Sequence, residues 1–260
     1  MPQIFARALL LPLALVMLVT AGVGQLAAQE ATPVPGSLVL PPDATVGGMS
    51  VGEWTAQAWQ WQLSFPLASN PVLDATGERC ALGQTGPVFF LLPPPVVADA
   101  SQPRDVTRRC TVPTGVALLV PLLTTECSTV EAPPFFGRDE TELRRCAAAN
   151  IDAAPAQILA TLALTVDGQN VVDLRRYLAT SPHFTFYVPS DNLLHLAGPT
   201  VADAVSDGYW VLLAPLPTGD HQIAISGPSP EGPATATYHL TVEAPQVTGA
   251  AAPPVASPGA

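Results

Sequence analysis

The chain is 260 residues long and carries 21 acidic against 10 basic side chains, all of the latter arginine, for a formal net charge of −11 at pH 7. A molecule this acidic repels nucleic acid and anionic lipid, so neither is an expected partner. Its four cysteines, Cys80, Cys110, Cys127 and Cys146, form no C-x-x-C pair, which argues against a zinc ribbon or a thioredoxin-type redox centre.

Residues 1–7 include a single arginine, and residues 8–24 (ALLLPLALVMLVTAGVG) are apolar. Small residues follow at Ala27 and Ala28. This is the pattern of a secretory signal peptide, assigned to residues 1–28 with cleavage between Ala21 and Ala31. The run is short for a membrane span and contains Pro12, so cleavage is expected rather than anchorage, leaving no membrane association. Removal of the leader takes Arg7 and no acid, and the charge moves from −11 to −12. In an exported chain an even number of cysteines implies a disulfide framework. Several connectivities are open. Neighbour pairing, Cys80–Cys110 and Cys127–Cys146, is expected because each pair flanks a segment whose ends can meet.

Residues 29–48 are rich in Pro, Gly, Ala and Thr and read as an extended lead-in. Residues 50–66 (SVGEWTAQAWQWQLSFP) then hold three of the four tryptophans and read as one helix. Ser50 and Glu53 stand at capping-box spacing, and Pro66 stops the run. In helical projection Val51, Trp54, Ala58, Trp61 and Phe65 share one face. Ala56, Trp59 and Leu63 form a second apolar arc, and Glu53, Gln57, Gln60 and Ser64 form a polar wedge. A helix apolar over most of its circumference is a buried one.

Residues 67–84 are loop-like, and residues 86–92 form a short apolar run typical of a buried strand. Residues 96–109 are polar and expected as an exposed excursion. The apolar run 110–127 contains Pro121, which implies an edge position or a bulge. Residues 139–150 place acids before arginines, as a short helix prefers. From Ala156 the period becomes two: Leu162, Leu164 and Val166 lead to an Asp167-Gly168 hairpin turn. Phe184, Phe186 and Val188, then residues 209–214, then His221, Ile223 and Ile225, then Tyr238, Leu240 and Val242 supply further strands. These elements predict a mainly β protein of the α+β class. Its core is β-sandwich-like, with a buried N-terminal tryptophan-rich helix and one further short helix. One globular domain is expected over residues 49–244, with a possible sub-boundary near 152–156, and the Pro/Ala-rich residues 245–260 read as a disordered tail.

The combination GEWTAQAWQWQLSFPLASNPVLDATGERCALGQTGPVFFL, then CTVPTGVALLVPLLTTECS, then DGYWVLLAPLPTGDHQIAISG resembles a group of uncharacterised exported bacterial proteins. They share a G-E-W…W-Q-W helix and a four-cysteine frame, and the likeness runs over residues 48–242. Ala58 departs from it, standing where another tryptophan is expected. The resemblance implies export; it brings no catalytic or binding residue with it.

A polar stripe beside tryptophans can line a carbohydrate cleft, with rings on sugar faces and amides on hydroxyls. Glu53, Gln57, Gln60 and Trp59 are therefore the candidate binding residues. The competing expectation is that Glu53 merely caps its helix and the glutamines face water. His183, His195, His221 and His239 fall at no metal-ligand spacing, and Asp191 and His195 would share a face only if their segment were helical. Asp167-Gly168-Gln169-Asn170 has too few acids for calcium. There is no G-x-S-x-G, no lone cysteine and no P-loop. The arginine pairs at 108–109, 144–145 and 175–176 are expected to meet the chain's many acids. No metal or cofactor is expected. The sequence favours a non-enzymatic envelope or extracellular module, periplasmic or secreted, that binds an unidentified protein or glycan. The rival is a secreted hydrolase acting on a glycan or other envelope polymer, with acids such as Glu53, Glu126 or Asp191 assembled from distant positions.

Overall fold

Ser50 closes the first turn of the tryptophan helix in the way its spacing predicts. In the computed structural model, which describes residues 38–94, 105–229 and 232–244, its side chain accepts from the Glu53 N–H while Glu53 reaches back to the Ser50 N–H. A small hairpin of β1 (Thr45–Val46) and β2 (Met49–Ser50) runs straight into this helix, α1 (Val51–Leu63). The expected leader, residues 29–37 of the lead-in, the tail and residues 96–104 lie outside the described residues.

The remaining elements are β3 (Val88–Phe90), β4 (Val106–Pro113), β5 (Ala117–Ser128), α2 (Glu140–Asp152), α3 (Ala156–Leu159), β6 (Ala163–Val166), β7 (Gln169–Asn170), β8 (Leu178–Thr180), β9 (Phe184–Val188), β10 (Thr200–Leu213), β11 (Gly219–Ser229) and β12 (Gly232–Glu243). They build two five-stranded sheets. In the first, the order is β3-β5-β10, with β8 and β9 sharing the far side of β10. In the second it is β4-β12-β11-β6-β7.

The two sheets meet across one core, where Leu118, Val120, Val211 and Leu213 of the first face Ile223, Ile225, Leu240 and Val242 of the second. The mainly β, sandwich-like fold is therefore present. Its two sheets carry different sequence signatures for a physical reason. The second has one face open, so β4 alternates strictly between buried and exposed positions. The first is covered on both faces along its central strands, and β10 reads as continuous burial from Ala204, while β9 at its far side alternates. Its outer cover is α1: Val51, Trp54, Ala58 and Trp61 pack on Phe90, Leu119, Trp210 and Leu212, while Ala56 and Leu63 pack on Phe184, Phe186 and Ala204. Gly52 permits this approach, because a Cβ there would stand 2.4 Å from the Thr180 carbonyl oxygen.

Pro121 sits in the middle of the first sheet. It is tolerated at a bulge, where the β5–β10 register shifts opposite Tyr209 and Trp210. Asp167 (φ 50°) and Gly168 (φ 77°) turn β6 into β7, as the hairpin signal predicts. Cys80–Cys110 ties the loop after α1 to β4, and Cys127–Cys146 ties β5 to α2.

Three local expectations need correction. Residues 106–109 are not an exposed excursion: they begin β4, and Arg108 is among the largest fully buried side chains. Among the described residues Arg108 meets no acid. Its guanidinium donates to the carbonyls of Asp74, Leu92 and Pro93 and to the Tyr238 hydroxyl, so backbone dipoles compensate the buried charge. Residues 156–159 form a helical turn, and the period-two pattern starts only at Ala163.

Candidate functional site

The polar wedge of α1 is brought together as a surface. Glu53, Gln57 and Gln60 line a shallow hollow of about 440 Å³ with Met49, His183 and Thr185. Two of the three are already engaged. Glu53 Oε2 accepts from the Ser50 N–H and Oγ–H, both at 2.7 Å, and these bonds hold its carboxyl below the usual range. Gln60 Nε2 donates to the Thr185 carbonyl at 2.7 Å, pinning the helix to β9. Gln57 is left free on the surface. Trp59 does not line this hollow; it is half-buried against the β9 side of the core, with its indole N–H enclosed and without a partner.

The acids named for a hydrolase do not converge. Glu53 is the sole carboxylate lining its hollow. Asp191 lies in an exposed, non-helical loop organised by Asn192, and His195 there adopts a left-handed backbone, so the two share no helix face. Glu126 stands opposite Ser206 in the first sheet, with both carboxylate oxygens buried and unpartnered. Burial, then the adjacent Glu131 carboxyl, pushes its pKa from 4.5 up to about 10. A neutral carboxyl is what a general acid needs, but one with no exposed oxygen cannot reach a substrate. Glu131, at the rim, accepts from the Ser128 hydroxyl at 2.9 Å.

A larger hollow, of about 560 Å³, lies on the open face of the second sheet. The alternation of Tyr238, Leu240 and Val242 leaves His239 and Thr241 on the opposite face of their strand, but nothing local to that strand identifies their neighbours. Parallel pairing of edge strand β4 with β12 sets Arg109 beside His239 and Thr111 beside Thr241. Antiparallel pairing of β12 with β11 sets His239 beside Gln222 and Thr241 beside Asp220. The result is a grid of two rows across three strands, about 10 Å wide at ordinary strand spacing. Arg109, Thr111, Gln222, Asp220 and Thr241 are exposed, and His239 is half-buried.

Asp167 closes the far end of the grid. Its carboxylate accepts from the Gln222 N–H at 2.8 Å and meets His221 Nδ1 at 2.8 Å, while His221 Nε2 meets the Pro217 carbonyl at 2.8 Å. Burial opposes charge on both side chains. For Asp167, His221 and the Gln222 N–H outweigh it, holding the carboxyl below the usual range. For His221, Asp167 and the Pro217 carbonyl outweigh it and raise the imidazole. The pair resembles two members of a triad, but the second ring nitrogen faces a backbone carbonyl. Thr241, the hydroxyl nearest by register to this end, donates to Asp220 at 2.9 Å. The arrangement can bind; it holds no activated nucleophile.

No group of three or more His, Cys, Asp or Glu side chains among the described residues is placed to hold a metal ion. No described helix is long and apolar enough to cross a membrane. Neither a protein-family model nor a curated protein matches this chain. Among solved structures, the solution structure of Amebosin is similar at 11% identity over 54% of this chain and 96% of that one, with a TM-score of 0.16. A likeness that slight carries no argument.

Proposed function

We propose that this chain is an exported, non-enzymatic envelope or extracellular module that binds a glycan through the open face of its second sheet. The carrying observation is the polar grid of Arg109, His239, Gln222, Thr111, Thr241 and Asp220, which presents donors and acceptors side by side on rigid strands. A hydroxyl-rich ligand is the natural complement of such a surface, and strands hold the groups more firmly than loops would. Two disulfides in a chain with a leader-like N-terminus support export to the periplasm or the medium.

The hydrolase reading is disfavoured because neither Glu126 nor Asp191 lines the hollow of Glu53 and because Glu126 is buried. The α1 wedge is the weaker surface, since Glu53 and Gln60 serve the fold. The test is a glycan array probed with the labelled, oxidised protein, followed by a reducing-end assay on each glycan retained. Retention without release of reducing ends is expected. Release of reducing ends would restore the hydrolase, and retention of proteins but no glycan would change the partner class.

A further inference from the structure

We propose that the row Arg109–His239–Gln222 seats the single carboxylate of an acidic saccharide, an inference that rests on the module reading above. Several observations point the same way. Apart from the small imidazoles of His221 and His239, the lining has no aromatic ring, so no tryptophan, tyrosine or phenylalanine offers a stacking platform for the apolar face of a neutral sugar. Affinity must come from hydrogen bonds and charge. An arginine fork is the side chain best matched to a carboxylate, because two parallel N–H bonds fit its two oxygens.

Arg109 is free to act in this way. Among the described residues its guanidinium makes no hydrogen bond or ion pair, whereas Arg138 is paired with Glu142, Arg144 with Glu140, and Arg108 is consumed in the core. The ring nitrogens of His239 and the side-chain amide of Gln222 are likewise without a described partner. All three side chains line one hollow in adjacent register.

The acids of the grid set the direction of the ligand. Asp220 and Asp167 stand on the β11 side, beside Gln222 and two strands from Arg109 on edge strand β4, so they bias a carboxylate to the Arg109–His239 half of the row. They repel a carboxylate from that end and can accept sugar hydroxyls there. The net charge of −11 sets a second limit: repulsion by the molecule as a whole grows with ligand charge, so one carboxylate on an otherwise neutral saccharide is opposed far less than a polyanion.

The experiment is calorimetric titration of the oxidised protein with an oligosaccharide carrying one terminal glucuronic acid, and with the methyl ester of the same compound. The ester keeps the shape and removes the charge. The acid should bind about tenfold or more tightly than the ester, the size of a charge-assisted pair. In Arg109→Gln, an exposed substitution checked by its unchanged thermal midpoint, the acid should fall to the level of the ester. Equal binding of acid and ester to the wild-type protein overturns the carboxylate seat and leaves the glycan module standing. A preference for the acid that persists in Arg109→Gln also overturns it. A heparin fragment that binds as tightly as the monouronide overturns the single-carboxylate assignment. Failure of acid and ester alike to bind sinks both this inference and the module reading for uronides.

Discussion

Replacing Glu126 by glutamine should stabilise the protein, and by an amount that depends on pH. In the folded chain the Glu126 carboxyl is held neutral, with its pKa raised from 4.5 to about 10, while in the unfolded chain it ionises near the lower value. Between those limits the unfolded state binds fewer protons than the folded one, so stability falls as pH rises. The contribution is fully present below pH 4.5 and is lost progressively above it. At pH 7 the loss is set by the unfolded value and amounts to about 3 kcal/mol, whatever the folded value above 7. Glutamine has nearly the same shape and no proton to keep. Urea denaturation of both proteins at several pH values is the assay, and the difference between the curves is the readout, because Glu53, Glu142, Asp74 and Asp167 titrate alike in both. The Glu126→Gln advantage should be within about 1 kcal/mol of zero at pH 4 and grow to about 3 kcal/mol at pH 7. A difference that stays flat across that range would refute the placement of a neutral buried carboxyl there.

Trp61→Ala should cost about 3–5 kcal/mol in the same assay. Its ring packs on Phe90 and Phe65 with centroids 5.6 and 5.9 Å away, and its N–H donates to the Leu82 carbonyl. Ser50→Ala should cost about 1 kcal/mol through the lost cap. Gln60→Ala should cost about 1 kcal/mol because it leaves the Thr185 carbonyl without its donor, whereas Gln57→Ala should stay within about 0.5 kcal/mol. Replacing Cys127 and Cys146 together by alanine should cost about 3 kcal/mol, the chain-entropy value for a loop of 19 residues, with a lower thermal midpoint as the check.

The elements with strong local chemistry were legible before the structure. The Ser50–Glu53 box, the Asp167-Gly168 turn and the alternating strands β6, β11 and β12 each follow from nearest-neighbour rules. Pro121 announced an edge position or a bulge, and the fold takes the bulge. What was hidden depended on cover supplied from elsewhere. Residues 200–208 are small and polar enough to pass for loop, yet they form the first nine of the fourteen residues of β10, because α1 covers Ala202 and Ala204 and α2 covers Val205. Arg108 looked like a surface charge, and only the fold shows the carbonyls that receive it. The polar grid was invisible for a different reason. Its residues come from three separate strands, and the parallel register of β4 with β12 cannot be read from either strand alone.

The central claim is that binding belongs to the open face of the second sheet, while the tryptophan helix serves the fold. It is tested most directly by titrating one array-identified glycan into three proteins: wild type, the double variant His239→Ala/Gln222→Ala, and Gln57→Ala. All three sites are at the surface, so unfolding should not confuse the comparison. The sheet variant should lose binding by about tenfold or more and Gln57→Ala should match wild type. Loss of binding in Gln57→Ala with the sheet variant unaffected would contradict the account and return the site to the helix.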